Sequence, residues 1–169
     1  YKTCLTAIHA FGVVLHPDKV LTLGIQNISF DDIVYAKEKG WRIKLIGTAY
    51  RTEDKYRVYV IPQFVKPDDD LYNVSFEYNA VEVEGAFSCK QTLVGKGAGS
   101  FPTGSAVLSD VSALTYNYKY GYKKLAKLKK VLNGSGSAEA LLDNDFGIKV
   151  YLRYKEENCL LYTSDAADE

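Results

Sequence analysis

Residues 42–50 read RIKLIGTAY and residues 56–65 read YRVYVIPQFV, and these two stretches decide the fold. In the first, Ile43 and Leu45 alternate with Lys44, as side chains do on the two faces of a strand. The polar residues between the two stretches have the length of a hairpin loop. The sequence therefore predicts two antiparallel strands joined by a short turn.

A second pair of strands is predicted farther along the chain. It comprises residues 77–83 and 86–94, with the turn at residues 84–85. Val81 and Val83 alternate with glutamates, which is the pattern of a strand with one buried face. Because short loops join these successive strands, we expect them to pair antiparallel as well.

Two helices are predicted before the first strand. Residues 1–12 have apolar side chains at helical spacing and close on a glycine, which suits a helix end. Ser29 and Asp32 match a capping box, so a second helix is predicted over residues 30–39, ending at Gly40. Together, these elements predict an α+β fold, a mixed and largely antiparallel sheet with helices on one face.

A long helix is predicted from Thr103 to about residue 132. Four positions carry its helical spacing: Val107, Val111, Leu114 and Tyr118. The alternation of tyrosines over residues 116–122 leaves a strand open at that point. Residues 133–137 are typical of a flexible linker, and residues 146–154 are predicted to form a strand.

The composition excludes several classes of function. The 169 residues include 21 basic and 21 acidic side chains, so no broad charge favours nucleic acid or an anionic membrane. No apolar run approaches the roughly 20 residues that span a bilayer. The three cysteines and two histidines do not have the spacing of a metal site or a disulfide framework. We therefore expect a cytoplasmic protein without a metal ion.

The most informative stretch for function is GKGAGSFPT at residues 95–103. Three alternate glycines between a predicted strand and helix let a ligand approach the backbone closely. The dinucleotide-binding fingerprint does not fit, because Ser100 occupies the position of its third glycine. A tight loop that only lets the helix pack is the alternative interpretation.

The order of these segments resembles the catalytic domain of homoserine dehydrogenase, from residue 1 to about residue 122. The stretches that carry the resemblance are YKTCLTAIHAFG at 1–12, LGIQN, DDI and AKEKG within 23–40, RIKLIG at 42–47, YNAV at 78–81 and GKGAGSFPTGSAVLSD at 95–110.

The resemblance implies an oxidoreductase that interconverts L-homoserine and L-aspartate 4-semialdehyde with NAD(P), on the route to threonine and methionine. It implies a homodimer formed through the sheet. It places Lys2 at the family's catalytic lysine, which exchanges a proton with the substrate oxygen. It places Gly97 and Gly99 where the loop meets the nicotinamide cofactor, and gives Thr103 a structural role as the helix cap. A solvated lysine without a role is the alternative for Lys2.

The resemblance also divides the chain. Residues 1–122 match the catalytic and dimerisation domain, and residues 123–158 begin an extension where many relatives carry a regulatory domain. Residues 159–169 look like a translated sequencing adapter rather than natural sequence. The nucleotide-binding domain and the acidic substrate-binding residues are expected before residue 1, so the chain alone is expected to be inactive.

Two other functions compete with this interpretation. A non-catalytic α+β module for ligand binding or dimerisation predicts that Lys2 lies far from the glycine loop. A semialdehyde dehydrogenase needs a nucleophilic cysteine in an activating environment, and the sequence around Cys4 and Cys89 does not supply one.

Overall fold

A computed structural model describes residues 1–53, 55–118, 121, 124 and 142–154. The helices are α1 (Lys2–Phe11), α2 (Phe30–Glu38) and α3 (Ser100–Thr115), with a single 3-10 turn at Pro17–Lys19. The strands are β1 (Leu21–Thr22), β2 (Arg42–Arg51), β3 (Tyr56–Val65), β4 (Tyr78–Gly85) and β5 (Cys89–Lys96). The predicted α+β class is confirmed.

The first predicted hairpin is confirmed as β2 and β3. The two strands are antiparallel, with Ile43 opposite Phe64 and Thr48 opposite Tyr59. On its other edge β3 pairs in parallel with β1, so the sheet has the order β1-β3-β2 and is mixed. The sequence did not predict β1, because two residues are too few to show a periodicity.

Both early helices pack on this sheet through contacts with β2. At the end of α1, Gly12 has φ 80° and its N–H donates to the carbonyl oxygen of Ile8, as predicted for a glycine stop. At the start of α2 the capping box is present, and the Ser29 N–H donates to Asp32 Oδ2 over 2.8 Å. Helix α2 ends at Glu38 and is followed by Gly40 at φ 70°.

The core of the domain lies between α1 and β3. It is a cluster of buried apolar side chains: Cys4, Ala7, Val13, Leu15, Val20, Val58 and Leu142. Cys4 is 6% exposed, so its thiol is a buried apolar group of this core.

The second predicted hairpin forms a separate two-stranded sheet, β4 with β5, rather than extending the first. Its predicted turn at residues 84–85 is wrong. Gly85 still pairs with Cys89, so the turn occupies residues 86–88, and Cys89 takes φ 53°. The connecting residues 66–77 are held to β2 by Arg42, which donates to the Tyr72 carbonyl oxygen over 2.9 Å.

Helix α3 is shorter than predicted and begins earlier. It starts at Ser100, because Pro102 is tolerated in a first helical turn, where its missing N–H costs nothing. It ends at Thr115 because Asn117, at φ 56°, closes a Schellman motif with the bond from the Tyr118 N–H to the Ala113 carbonyl oxygen. Most of the predicted continuation to residue 132 and the linker at 133–137 lie outside the described residues.

The strand predicted at residues 146–154 is wrong. Leu142 makes a parallel bridge with Tyr56 at the start of β3, but the pairing stops there. The same edge of β3 is taken by β1 at Tyr59 and Val60, so the chain cannot continue along it. Residues 142–154 instead cross over β3 and α2 without regular secondary structure, and we call them the C-terminal strap.

Candidate functional site

Lys2 is the first residue of α1, and its side chain is exposed. Its position is set by the next residue, Thr3, which lies directly over Gly47 of β2. A Cβ atom added to Gly47 would stand 2.2 Å from Thr3 Oγ1. The glycine of the IKLIG stretch therefore allows the start of α1 to lie against the sheet.

The glycine loop connects β5 to α3. The Gly97 N–H donates to the Glu77 carbonyl oxygen over 2.8 Å, and a Cβ atom on Gly97 would stand 1.6 Å from Asn79 Nδ2. Gly99 has φ 115°, a conformation that residues with a side chain rarely adopt. These two glycines are required by the geometry of the loop.

The expectation that Thr103 caps the helix is wrong. The N-cap of α3 is Gly99, and the Thr103 N–H donates to the Gly99 carbonyl oxygen over 3.1 Å. Thr103 is thus a residue of the first helical turn. The cap position has no side-chain hydrogen bond to the helix.

An open depression of about 680 Å³ lies beside the glycine loop. Its lining consists of Glu77, Lys96, Ala98, Gly99, Ser100, Phe101, Pro102 and Ser105. Its volume falls within the range of about 300–1,000 Å³ that is usual for ligand pockets. The residues that line it do not include Lys2, which lies on α1 against the other sheet.

An ion pair stands at the edge of this depression. Lys96 Nζ lies 3.0 Å from Glu77 Oε1, and both side chains are about half exposed. The pKa of the Glu77 carboxyl is lowered, chiefly by its own backbone N–H and then by Lys96, so it stays ionised beside the loop. The sequence analysis missed this pair, because residues 19 positions apart meet only through the register of β4 and β5.

Lys44 is a second charged residue whose role the sequence did not indicate. Its ammonium group donates to the Val74 carbonyl oxygen in the segment that leads into β4. Burial lowers the pKa of Lys44, and the neighbouring Arg42 lowers it further, while Asp69 opposes both. Lys44 therefore helps to fix the segment that connects the two sheets.

The described residues contain no group of three His, Cys, Asp or Glu side chains that could hold a metal ion. In the same ranges, no helix is both long enough and apolar enough to cross a membrane. Besides the depression at the glycine loop, the described residues form an open groove of about 700 Å³ beneath the C-terminal strap.

Comparisons with known proteins identify the family. The family model described as homoserine dehydrogenase matches residues 1–112, which include Lys2 and the whole glycine loop. The chain belongs to the homoserine dehydrogenase family.

Two curated relatives, both named homoserine dehydrogenase, show how far the similarity extends. The relative from Pseudomonas aeruginosa is 38% identical over 111 residues, which is 66% of this chain and 26% of the relative. The relative from Helicobacter pylori is 31% identical over 155 residues, which is 88% of this chain and 37% of the relative. The chain thus spans between a quarter and two fifths of the length of these relatives.

Solved structures agree with the sequence comparisons. A homoserine dehydrogenase from Thiobacillus denitrificans matches 85% of this chain with a TM-score of 0.62 and 30% identity, over 32% of its own length. The Staphylococcus aureus homoserine dehydrogenase at pH 6.5 matches 75% of this chain with a TM-score of 0.60 and 32% identity, over 33% of its length. The resemblance seen in the sequence is confirmed.

Proposed function

We propose that this chain supplies the substrate-side part of an enzyme that interconverts L-homoserine and L-aspartate 4-semialdehyde with NAD(P). The observation that carries the proposal is the extent of the family match, since residues 1–112 hold both the lysine and the glycine loop of the resemblance. The reaction belongs to the synthesis of threonine and methionine, and the proposed setting is the cytoplasm.

Lys2 is the proposed acid–base residue. In the direction of oxidation, Lys2 takes the proton from the hydroxyl oxygen of homoserine. At the same time a hydride leaves the carbon that carries this oxygen, and that carbon becomes the aldehyde carbon. In the reverse direction its ammonium group returns the proton to the developing alkoxide and stabilises the negative charge. The exposure of Lys2 at the first turn of α1 supports this role, because the side chain is free to reach a substrate.

Gly97 and Gly99 are the proposed contacts of the cofactor. NAD(P), when bound, supplies the acceptor or donor of the hydride. The backbone is open at Gly95, where a Cβ atom would meet nothing within 4 Å, and the adjoining depression is lined by Ala98, Gly99 and Phe101. A flat ring can approach such a surface closely, which supports the assignment.

The proposed reaction needs an experiment that separates catalysis from folding. This chain would be joined to the nucleotide-binding domain of a relative, and homoserine-dependent reduction of NAD(P) would be followed. We expect turnover in the chimaera. If it folds and binds NAD(P) but does not turn over homoserine, while the parent relative does, the proposed reaction is wrong for this chain.

We also propose that the β4–β5 ribbon meets a second copy of the chain. One face of this ribbon carries Val81, Val83 and Leu93, which are 50%, 47% and 64% exposed. An apolar row of this kind is typical of a surface that another chain covers. Leu93→Glu should shift the protein from dimer to monomer in sedimentation, whereas Val94→Glu on the opposite face, where the side chain is 56% exposed, should not. Equal effects would contradict the proposal.

A further inference from the structure

The C-terminal strap ends on an aromatic surface. The Tyr151 ring is stacked on Tyr35 of α2, with centroids 4.9 Å apart and planes at 24°, and it meets the edge of Phe64 of β3 at 5.4 Å. Two residues later, Arg153 Nε donates to Asp32 Oδ1 over 2.8 Å. The surface therefore combines an aromatic slot, which holds Tyr151, with a carboxylate, which holds Arg153.

The first part of the strap is held in a different way. Leu142 is buried in the core, and the Asp143 N–H donates to the Tyr56 carbonyl oxygen over 2.8 Å. The Asp143 carboxylate also accepts from Arg57 Nε over 2.7 Å. Residues 142–146, which we call the root, are thus fixed by main-chain bonding and by the core.

Residues 148–154, which we call the arm, are held by side chains alone. Within the described part of the chain, they make no main-chain hydrogen bond to a strand or helix. An open groove of about 700 Å³ lies between the arm and the sheet, and Val150 and Leu152 are 63% and 79% exposed. Gly147 joins the root to the arm, and a Cβ atom there would meet nothing within 4 Å.

We propose that Asp32, Tyr35 and Phe64 form a recognition surface for an extended aromatic-x-arginine segment, and that the chain's own Tyr151 and Arg153 occupy it as a releasable arm. Gly147 is the hinge, and the root remains in place when the arm leaves. The proposal does not depend on the proposed catalytic function.

Release of the arm leaves α2 intact. Asp32 uses separate oxygens for its two roles, because Oδ2 accepts from the Ser29 N–H of the capping box and Oδ1 accepts from Arg153. Loss of Arg153 therefore removes one attachment of the arm without removing the cap. This separation allows the arm to be tested in a folded chain.

The chain carries two natural reporters of the arm. Trp41, the only tryptophan, lies against Tyr35 and Phe64 with ring centroids 6.5 Å and 5.7 Å away, so its fluorescence reports on the slot. Lys149 lies within the arm and is exposed, so tryptic cleavage after Lys149 reports on release.

The first experiment compares full-length variants of this chain. Tyr151→Ala and Arg153→Gln should each change Trp41 fluorescence, and together they should speed tryptic cleavage after Lys149 about tenfold. Leu152→Ala, in the same arm but solvent-facing, should change neither reading. Unchanged readings in the double variant, or an equal change in Leu152→Ala, would overturn the proposal.

The second experiment supplies the segment in trans. A peptide with the sequence of residues 146–154 is titrated into the Tyr151→Ala, Arg153→Gln chain, and Trp41 fluorescence should return saturably toward the wild-type value. A peptide with alanine and glutamine at the same two positions should leave it unchanged. If neither peptide has an effect, or both have the same effect, the surface does not recognise the aromatic-x-arginine pattern.

Discussion

Thr3 and Gly47 are in such close contact that Gly47 cannot carry a side chain unless the Thr3 side chain moves. An added Cβ atom would stand 2.2 Å from Thr3 Oγ1 and 3.3 Å from Thr3 Cβ and Cγ2. Because Thr3 adjoins Lys2, the same contact sets the position of the proposed catalytic lysine over β2. We therefore expect a substitution at Gly47 to shift the proposed catalytic lysine as well, although Gly47 lies in the sheet.

Gly47→Ala should destabilise the domain by about 1–3 kcal/mol, the usual effect of adding a methyl group to a packed contact. Urea denaturation of the full chain measures this. Thr3→Ala in the Gly47→Ala background should recover part of the loss, because it removes Oγ1 and Cγ2 and leaves only Cβ. If the second substitution adds to the loss instead, the two residues are not in contact.

Gly99 and Gly104 provide a matched pair of glycines at the start of α3. Gly99→Ala should destabilise the region by about 1–3 kcal/mol, because φ 115° is strained for any residue with a side chain. Gly104→Ala should stabilise α3 by about 0.5–1 kcal/mol, because Gly104 lies inside the helix and nothing lies within 4 Å of an added Cβ. Thermal unfolding of both variants checks the opposite signs, and two changes of the same sign would contradict the loop geometry.

Acid should weaken the attachment of the strap. The pKa of Asp32 is lowered by its hydrogen bond from the Ser29 N–H and then by Arg153, and the pKa of Asp143 is lowered chiefly by Arg57. A carboxyl group whose pKa is lowered by folding stabilises the folded state in full when the pH is above its pKa in the unfolded chain, which is 3.8. This stabilisation is lost as the pH falls through the pKa of the group in the folded state.

The measurement for this prediction is unfolding by urea at pH 7 and at about pH 3. At the lower pH, carboxyl groups with ordinary pKa values are largely protonated. The wild-type chain should lose stability between the two. Asp32→Asn, which keeps a side-chain oxygen that can accept from the Ser29 N–H but has no titrating group, should lose less over the same interval. An equal loss in both proteins would show that Asp32 does not contribute to the acid sensitivity.

Local patterns predicted the elements whose signals lie within a few residues. The capping box of Ser29 and Asp32, the glycine stop at Gly12 and the alternation in β2 and β3 all specify their structure over one turn or one strand. The structure confirmed each of these. The family resemblance was carried by several short motifs, through their order and spacing along residues 1–110.

The errors in the prediction came from long-range effects and from weak stop signals. Nothing near residue 146 reveals that β1 already occupies the edge of β3, so a stretch rich in β-formers was predicted as a strand. The end of α3 depends on Asn117 in a left-handed conformation, a weaker signal than glycine. The pairing of Arg153 with Asp32, 121 positions away, has no local signature.

The most direct test of the account is the effect of Lys2→Ala on turnover of homoserine, in this chain joined to a relative's nucleotide-binding domain. Lys19→Ala, which changes an exposed lysine of the 3-10 turn, is the matched control. We predict that Lys2→Ala lowers kcat by about 10²–10⁴-fold with NAD(P) binding retained, and that Lys19→Ala leaves it unchanged. A folded Lys2→Ala protein with the parent's kcat would contradict the assignment of Lys2 as the catalytic residue.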